Sequence, residues 1–241
     1  MILLEDQNYI VINKPSGMMV HDDGRGDQNT TVSWILKNYP EIAGVGEKMV
    51  LKNGEVIERP GIVHRLDTET SGALVIAKNQ EAFLSLKKQF QEHRVEKTYH
   101  AFVYGNLKED SGVIDRPIGK SKRDFRKYSA QRGARGKMRE AITNWKVLFG
   151  GDKFSLLEVY PKTGRTHQIR VHLKAIHHPV IADKLYAPKG EKMLGFMRLA
   201  LHARKVSFKG LDGKNIEVLA PYPDDFERAL GTCRKMGAVL D

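Results

Sequence analysis

The reading of this 241-residue chain turns on residues 61–78, GIVHRLDTETSGALVIAK. A polar cluster, His64-Arg65-Leu66-Asp67, runs into Thr68-Glu69-Thr70-Ser71-Gly72 and then into Ala73-Leu74-Val75-Ile76-Ala77. The apolar run has strand length and β-branched content, and Gly72 bounds it. The polar cluster therefore lies on a loop or turn feeding a buried strand. Loops on a rigid scaffold are where chemistry is usually placed. From residue type alone Asp67 has two readings. It is a turn or N-cap aspartate, or it is a reactive carboxylate set beside Arg65.

HRLDTETSG, followed by an apolar strand and then Ala-Lys, resembles the signature of the RluA-type pseudouridine synthases. NKPSGMMVH at residues 13–21, KTY at 97–99, GRTHQIRVH at 164–172 and LALHARKVSF at 199–208 resemble further stretches of the same family. The resemblance spans roughly residues 2–222. It implies an RNA pseudouridine synthase, an isomerase, with an α+β fold: a mixed, largely antiparallel central sheet flanked by helices and loops. It implies that Asp67 is the catalytic aspartate, that Tyr99 lies against the target base, and that Arg170 forms an ion pair with Asp67. It also implies that Arg65 fills the space left by the extruded uridine, a role that suits a guanidinium, which stacks on bases and hydrogen-bonds to their edges. His64, Arg165 and His167 join the RNA-binding set with the motifs that carry them. Lys14 is either a further RNA contact or a surface lysine at a strand end. Without the family, Tyr99 reads as a core tyrosine with a satisfied hydroxyl.

Composition agrees with a globular protein, at 41% hydrophobic and 29% charged residues. No run of about 18 apolar residues suggests a membrane helix. The N-terminal MILLEDQNYIVINKP carries an acidic pair and no basic segment, so it does not read as a secretory signal, and the expected location is the cytoplasm. The single cysteine, Cys233, cannot form an internal disulfide and reads as inert. Forty Lys and Arg against twenty-nine Asp and Glu give a net charge of +11, which concentrates polyanions at the surface. The expected partner is RNA, ribosomal first and transfer RNA second.

Much of that charge sits in residues 119–139, GKSKRDFRKYSAQRGARGKMR, with nine basic residues and one acid, Asp124. Lys122, Arg123, Arg126 and Lys127 are the candidate phosphate contacts, and Phe125 and Tyr128 interleave with them. The segment reads as a basic RNA-contacting loop, or as a solvated one, and both hold if it orders only on RNA.

Elsewhere the chain reads as short strands and helices. Tyr9–Ile12 reads as a strand, and Thr31 as the cap of a helix ending before Pro40. Asn53-Gly54 signals a hairpin within 49–57. Asn79 reads as the cap of an amphipathic helix carrying Phe83, Leu86 and Phe90. A strand spans 95–105, and two more, 141–148 and 154–160, form a hairpin. A helix opens at Gly164 with Ile169, Leu173 and Ile176 on one face. A strand pair surrounds 199–202 and 216–219, and a last helix covers 224–230. His167, His172, His177 and His178 lack the spacing of a zinc site, so no metal is expected. In HPVIADKLYA the usual Gly-Asp-x-x-Tyr-Gly of the family has Ala182 and Ala187 for its glycines, which reads as a change in a peripheral loop. The whole is expected to be one catalytic domain, residues 1–241, without a separate RNA-binding domain in front, acting as a monomer with no cofactor. Two other functions fit part of this pattern: a non-catalytic RNA-binding or ribosome-assembly factor, and a glycosidase that releases the base.

Overall fold

An N-terminal run of β-branched residues needs a partner for every backbone N–H, and it finds one on each side. The computed structural model describes all residues except 22–29, 51–53, 55, 58, 132–133, 189–192 and 241. The architecture is α+β, with a largely antiparallel sheet flanked by helices, as the sequence predicts. The chain divides into two compact units. One comprises Met1–Glu96 with Lys205–Pro221, the other Lys97–Arg204 with Tyr222–Asp241.

In the first unit β1 (Ile2–Glu5) and β2 (Tyr9–Lys14) form an antiparallel hairpin. Helix α1 (Thr31–Asn38) follows, capped by Thr30 rather than by Thr31, through a reciprocal bond with Ser33. The short strands β3 (Met49–Val50) and β4 (Val56–Ile57) pair as the hairpin signal predicts, with Asn53 outside the described residues. Strand β5 (Ser71–Ala77) is buried at every position and pairs with β2 from Tyr9↔Ala77 to Lys14↔Gly72. Asn79 caps α2 (Gln80–Gln91) by accepting from the Ala82 N–H at 2.9 Å. Phe83 and Leu86 of α2 enter one core with Val11 and Val75.

In the second unit β6 (Glu96–Tyr104) begins a long antiparallel run, and β7 (Ser111–Asp115) lies at its far side. The basic segment then folds as β8 (Ile118–Ser121), β9 (Tyr128–Ser129) and β10 (Ala134–Arg139), a three-stranded antiparallel sheet of order β10-β8-β9. Where a loop is expected over 119–139, the described residues are therefore largely strand. Strands β11 (Ile142–Gly150) and β12 (Phe154–Pro161) form the expected hairpin, and β12 pairs with β6 from Phe154↔Tyr104 to Val159↔Tyr99. Helix α3 (Gln168–Ala175) starts four residues later than Gly164, and Ile176 is its C-cap. Strand β13 (Leu201–Lys209) leads back to the first unit. There its last five residues pair with β14 (Asn215–Leu219). Helix α4 (Asp224–Lys235) belongs to the second unit and buries Phe226 and Cys233. Burial pushes the Cys233 thiol up to about 11, consistent with an inert residue. Among the described residues no helix is long and apolar enough to cross a membrane.

Gly61, the first residue of the deciding stretch, shows how that stretch docks on β5. Its carbonyl accepts from the Ala77 N–H at 2.9 Å, and its N–H donates to Val45 O at 2.9 Å. Its φ is +67°, and an added Cβ would lie 2.2 Å from the Ala77 carbonyl oxygen. Both the backbone conformation and the space require glycine. Gly61→Ala is expected to destabilise the protein by about 3 kcal/mol, read as a shift of the urea unfolding curve. An unshifted midpoint contradicts this packing.

Candidate active site

In the first unit the Asp67 loop is stitched to the turn that follows β2. Thr68 O accepts from the Gly17 N–H at 2.8 Å and from Lys14 Nζ at 3.2 Å. The Ser16 hydroxyl donates to Glu69 O at 2.7 Å. Within the loop, the Thr70 N–H closes a turn on Asp67 O at 3.0 Å. NKPSG and HRLDTETSG are thus one object in space.

Lys14 is 0% exposed. Its ammonium donates to Pro15 O at 2.9 Å and Met18 O at 2.7 Å as well as to Thr68 O. An ammonium has three N–H donors, and three carbonyls receive them. A buried charge is tolerable only with such partners. This geometry supports positioning of the Asp67 loop rather than a phosphate contact.

His64 also points inward. Its Nε2 accepts from the Val75 N–H at 2.9 Å, and its ring stacks on Phe90 with centroids 4.6 Å apart. It thereby ties the loop to β5 and α2. Leu66 is buried, Asp67 half-buried and Arg65 exposed. The Arg65 guanidinium lies 3.5 Å from His21 Nε2, which also meets Arg59 at 2.9 Å. Burial, and next the Arg65 charge, lower the pKa of Arg59.

In the second unit Tyr99 stands half-buried on β6, packed against the apolar core. Lys97 lies two residues earlier on the same side of the strand. Desolvation, and next the nearby Lys162 charge, bring its pKa down to about 8. The start of α3 is built around Gln168. Its Oε1 accepts from the Thr163 hydroxyl at 2.7 Å and the Arg165 N–H at 2.9 Å, and its Nε2 donates to Ile142 O at 2.9 Å and Thr143 Oγ1 at 3.0 Å. Residue 167 takes φ 56° just ahead of it, so the helix cannot extend back to Gly164. Arg165 Nε donates to Glu140 O at 2.9 Å.

Arg170 is 4% exposed and holds Asp183 in a two-point fork, Nε to Oδ2 at 2.7 Å and Nη2 to Oδ1 at 2.9 Å. Asp183 Oδ1 also accepts from the N–H groups of Leu185 and Tyr186. The 182–187 loop is therefore not peripheral, because it carries the carboxylate that fixes Arg170. Ala182 adopts φ 56° immediately before it. That conformation costs an alanine about 1 kcal/mol and a glycine little. Tyr186 lies 5.1 Å from the Arg170 guanidinium and 5.6 Å from Lys174 Nζ. Its hydroxyl accepts from the Tyr128 N–H at 2.9 Å and meets His167 Nδ1 at 2.9 Å.

Around the basic sheet Asp124 takes a two-point contact from Arg126, at 3.0 and 2.9 Å. That guanidinium holds the Asp124 carboxyl down at about 2. Lys122, Arg123 and Arg126 are exposed, Lys127 is half-buried, and Phe125 at the apex is 78% exposed. His172 is buried between Thr143 Oγ1 and Arg116 O, at 2.9 Å each, and burial lowers its pKa. His178 meets Tyr104 O at 2.8 Å. Among the described residues no three His, Cys, Asp or Glu side chains gather as metal ligands.

Each unit thus holds part of the predicted set. The first has Lys14, His64, Arg65 and Asp67, and the second has Tyr99, Arg165, His167, Arg170 and the basic sheet. Gln168, Asp183 and Tyr186 complete the second set and are not among the predicted residues. Asp183 and Tyr186 stand at the polar positions of the Gly-Asp-x-x-Tyr-Gly pattern, which is the signal for them.

Residues 8–175 match the family of RNA pseudouridylate synthases. The chain belongs to this family, and its reaction is the isomerisation of uridine in RNA to pseudouridine. It is 39% identical over 230 residues to an uncharacterized RNA pseudouridine synthase of Synechocystis sp., covering 95% of this chain and 67% of that one. It is 34% identical over 234 residues to the ribosomal large subunit pseudouridine synthase D of Zymomonas mobilis, covering 94% and 70%. The solved structure of human RNA pseudouridylate synthase domain containing 1 superposes with a TM-score of 0.74 at 27% identity, covering 96% of this chain and 86% of that one.

Asp183→Asn keeps an acceptor for Leu185 and Tyr186 but removes the charge of the carboxylate that forks onto the buried Arg170 guanidinium. It is expected to lower stability by about 3 kcal/mol in urea unfolding. A loss below about 0.5 kcal/mol contradicts a dominant role for this ion pair.

Proposed function

We propose that this enzyme converts specific uridines of structured RNA to pseudouridine through Asp67, with large-subunit ribosomal RNA as the first candidate substrate and transfer RNA as the second. The observation that carries the residue assignment is the order of HRLDTETSG, KTY and GRTHQIRVH in one basic chain. Relatives named for the ribosomal large subunit support the choice of RNA. We place the reaction in the cytoplasm and take the active species to be a monomer.

The chemistry sets three tasks. The target uridine must leave its stack, which costs a few kcal/mol and least in loops. Arg65, exposed beside Asp67, is assigned to the vacated space. Next the N1–C1′ bond must break. Asp67 either attacks C1′ or removes a sugar proton to give a glycal. Last, the detached uracil turns and bonds to C1′ through C5, while the C5 proton leaves and N1 takes one. Atoms balance without a redox step or a carrier group, so the reaction calls for no cofactor.

Arg170 is assigned as the partner of Asp67. Asp183 engages the Nε edge of its guanidinium. A guanidinium presents N–H groups on more than one edge, so one such group can serve two carboxylates. A cation so fixed keeps a carboxylate ionised and aimed. Tyr99 is assigned as the wall on which the free uracil rests while it turns.

The test is Asp67→Asn, assayed for pseudouridine on cellular RNA from a strain lacking the protein. Activity is expected to fall at least about a thousandfold while the unfolding curve stays cooperative. Near wild-type yield from a folded variant overturns the assignment. Release of free uracil by the wild type would instead identify a glycosidase.

A further inference from the structure

The second unit contains a cleft of about 410 Å³ between the β8–β9 hairpin and α3. Lys122, Arg123 and Lys127 line it from the hairpin and Lys174 from the helix, and among the described residues no acidic side chain is in its wall. Asp124, the one acid of the basic segment, takes two bonds from Arg126 and lies 3.8 Å from Lys127 Nζ. Pockets for neutral ligands are mostly apolar with a few polar groups. Four cations around a small cleft, with one carboxylate shared between Lys127 and Arg126 outside its wall, leave an excess of positive charge that calls for an anion.

Two features favour a polymer over a free anion. Lys122, Arg123 and Lys174 are all exposed, as a site that tracks a passing backbone requires. Arg135, Lys137 and Arg139, also exposed, continue the charge along β10 beyond the cleft. The cleft also offers a base more than charge. Tyr128 and Gln131 line it, an aromatic ring for stacking and an amide for a base edge.

We propose that this cleft is a second nucleotide subsite, which holds one unstacked nucleotide of the RNA near the target uridine. Its phosphate lies among Lys122, Lys127 and Lys174, and its base meets Tyr128 and Gln131. This rests on the isomerase reading with Arg170 in the catalytic set. Lys174 is four residues after Arg170 on α3, about 6 Å along the axis, and both side chains lie against Tyr186. The subsite therefore takes a near neighbour of the target, and the base there becomes a determinant of which uridine is chosen.

The experiment measures binding of the full chain to an oligouridylate strand over a range of chloride concentrations. It compares wild type, K122A/K174A and, with the same charge change elsewhere, K153A/K235A. Pseudouridine formation by wild type on bulk cellular RNA is measured in parallel. K122A/K174A is expected to bind about tenfold more weakly, with the slope of log affinity against log salt reduced by about 1.4. K153A/K235A is expected to track the wild type. Equal slopes for K122A/K174A and wild type, with wild type active, overturn the subsite alone. Inorganic phosphate that displaces the strand from wild type far better than chloride of equal ionic strength, but not from K122A/K174A, also overturns it in favour of a free-anion site. A wild type that forms no pseudouridine overturns the isomerase reading on which the subsite depends.

Discussion

A guanidinium at 4% exposure cannot remain there without a carboxylate, and Asp183 supplies one. Much of the second unit's chemistry is arranged around that pair. Asp183 is itself held by two backbone N–H groups, so the fork has a fixed direction. The loop that delivers it also delivers Tyr186. That ring faces Arg170 and Lys174, and its hydroxyl reaches Tyr128 at the base of the basic sheet. One short loop thus couples the buried cation of α3 to the strands that carry the exposed ones.

The first unit solves a parallel problem with the opposite charge economy. Asp67, the carboxylate assigned above to the reaction, sits on a loop, and loops are mobile unless tied. Here the tie is the Lys14 ammonium together with the Gly17 N–H and the Ser16 hydroxyl, all directed at carbonyls of Thr68 and Glu69. His64 anchors the other end on Val75. Two of the four HRLD side chains, His64 and Leu66, serve the scaffold. Of the other two, Asp67 is half-buried and Arg65 exposed.

Local patterns were legible in the sequence, and long-range polar contacts were not. The β5 strand, the Asn79 cap of α2 and the β11–β12 hairpin follow from periodicity and turn chemistry over a few residues. The start of α3 is not legible locally, because Gln168 braces the turn ahead of it with bonds to Thr163, Ile142 and Thr143. Lys14 reads from sequence as an RNA contact or a surface lysine, because its burial depends partly on a carbonyl 54 residues away. Composition hides the strands β8, β9 and β10, since charge runs usually mean solvated loops. Ile118 shares a small apolar cluster with Ala141, Val171 and Tyr186 at its root, and this outweighs composition. The site motifs themselves were readable as strings. What the strings could not show is which of their residues face inward.

The central claim is that this chain isomerises uridine within RNA. The most direct measurement is a nucleotide-resolved map of pseudouridine in ribosomal and transfer RNA from cells with and without the protein. The account predicts the disappearance of one or a few sites from large-subunit ribosomal RNA, each regained when the protein is restored. Identical maps in both strains would contradict it.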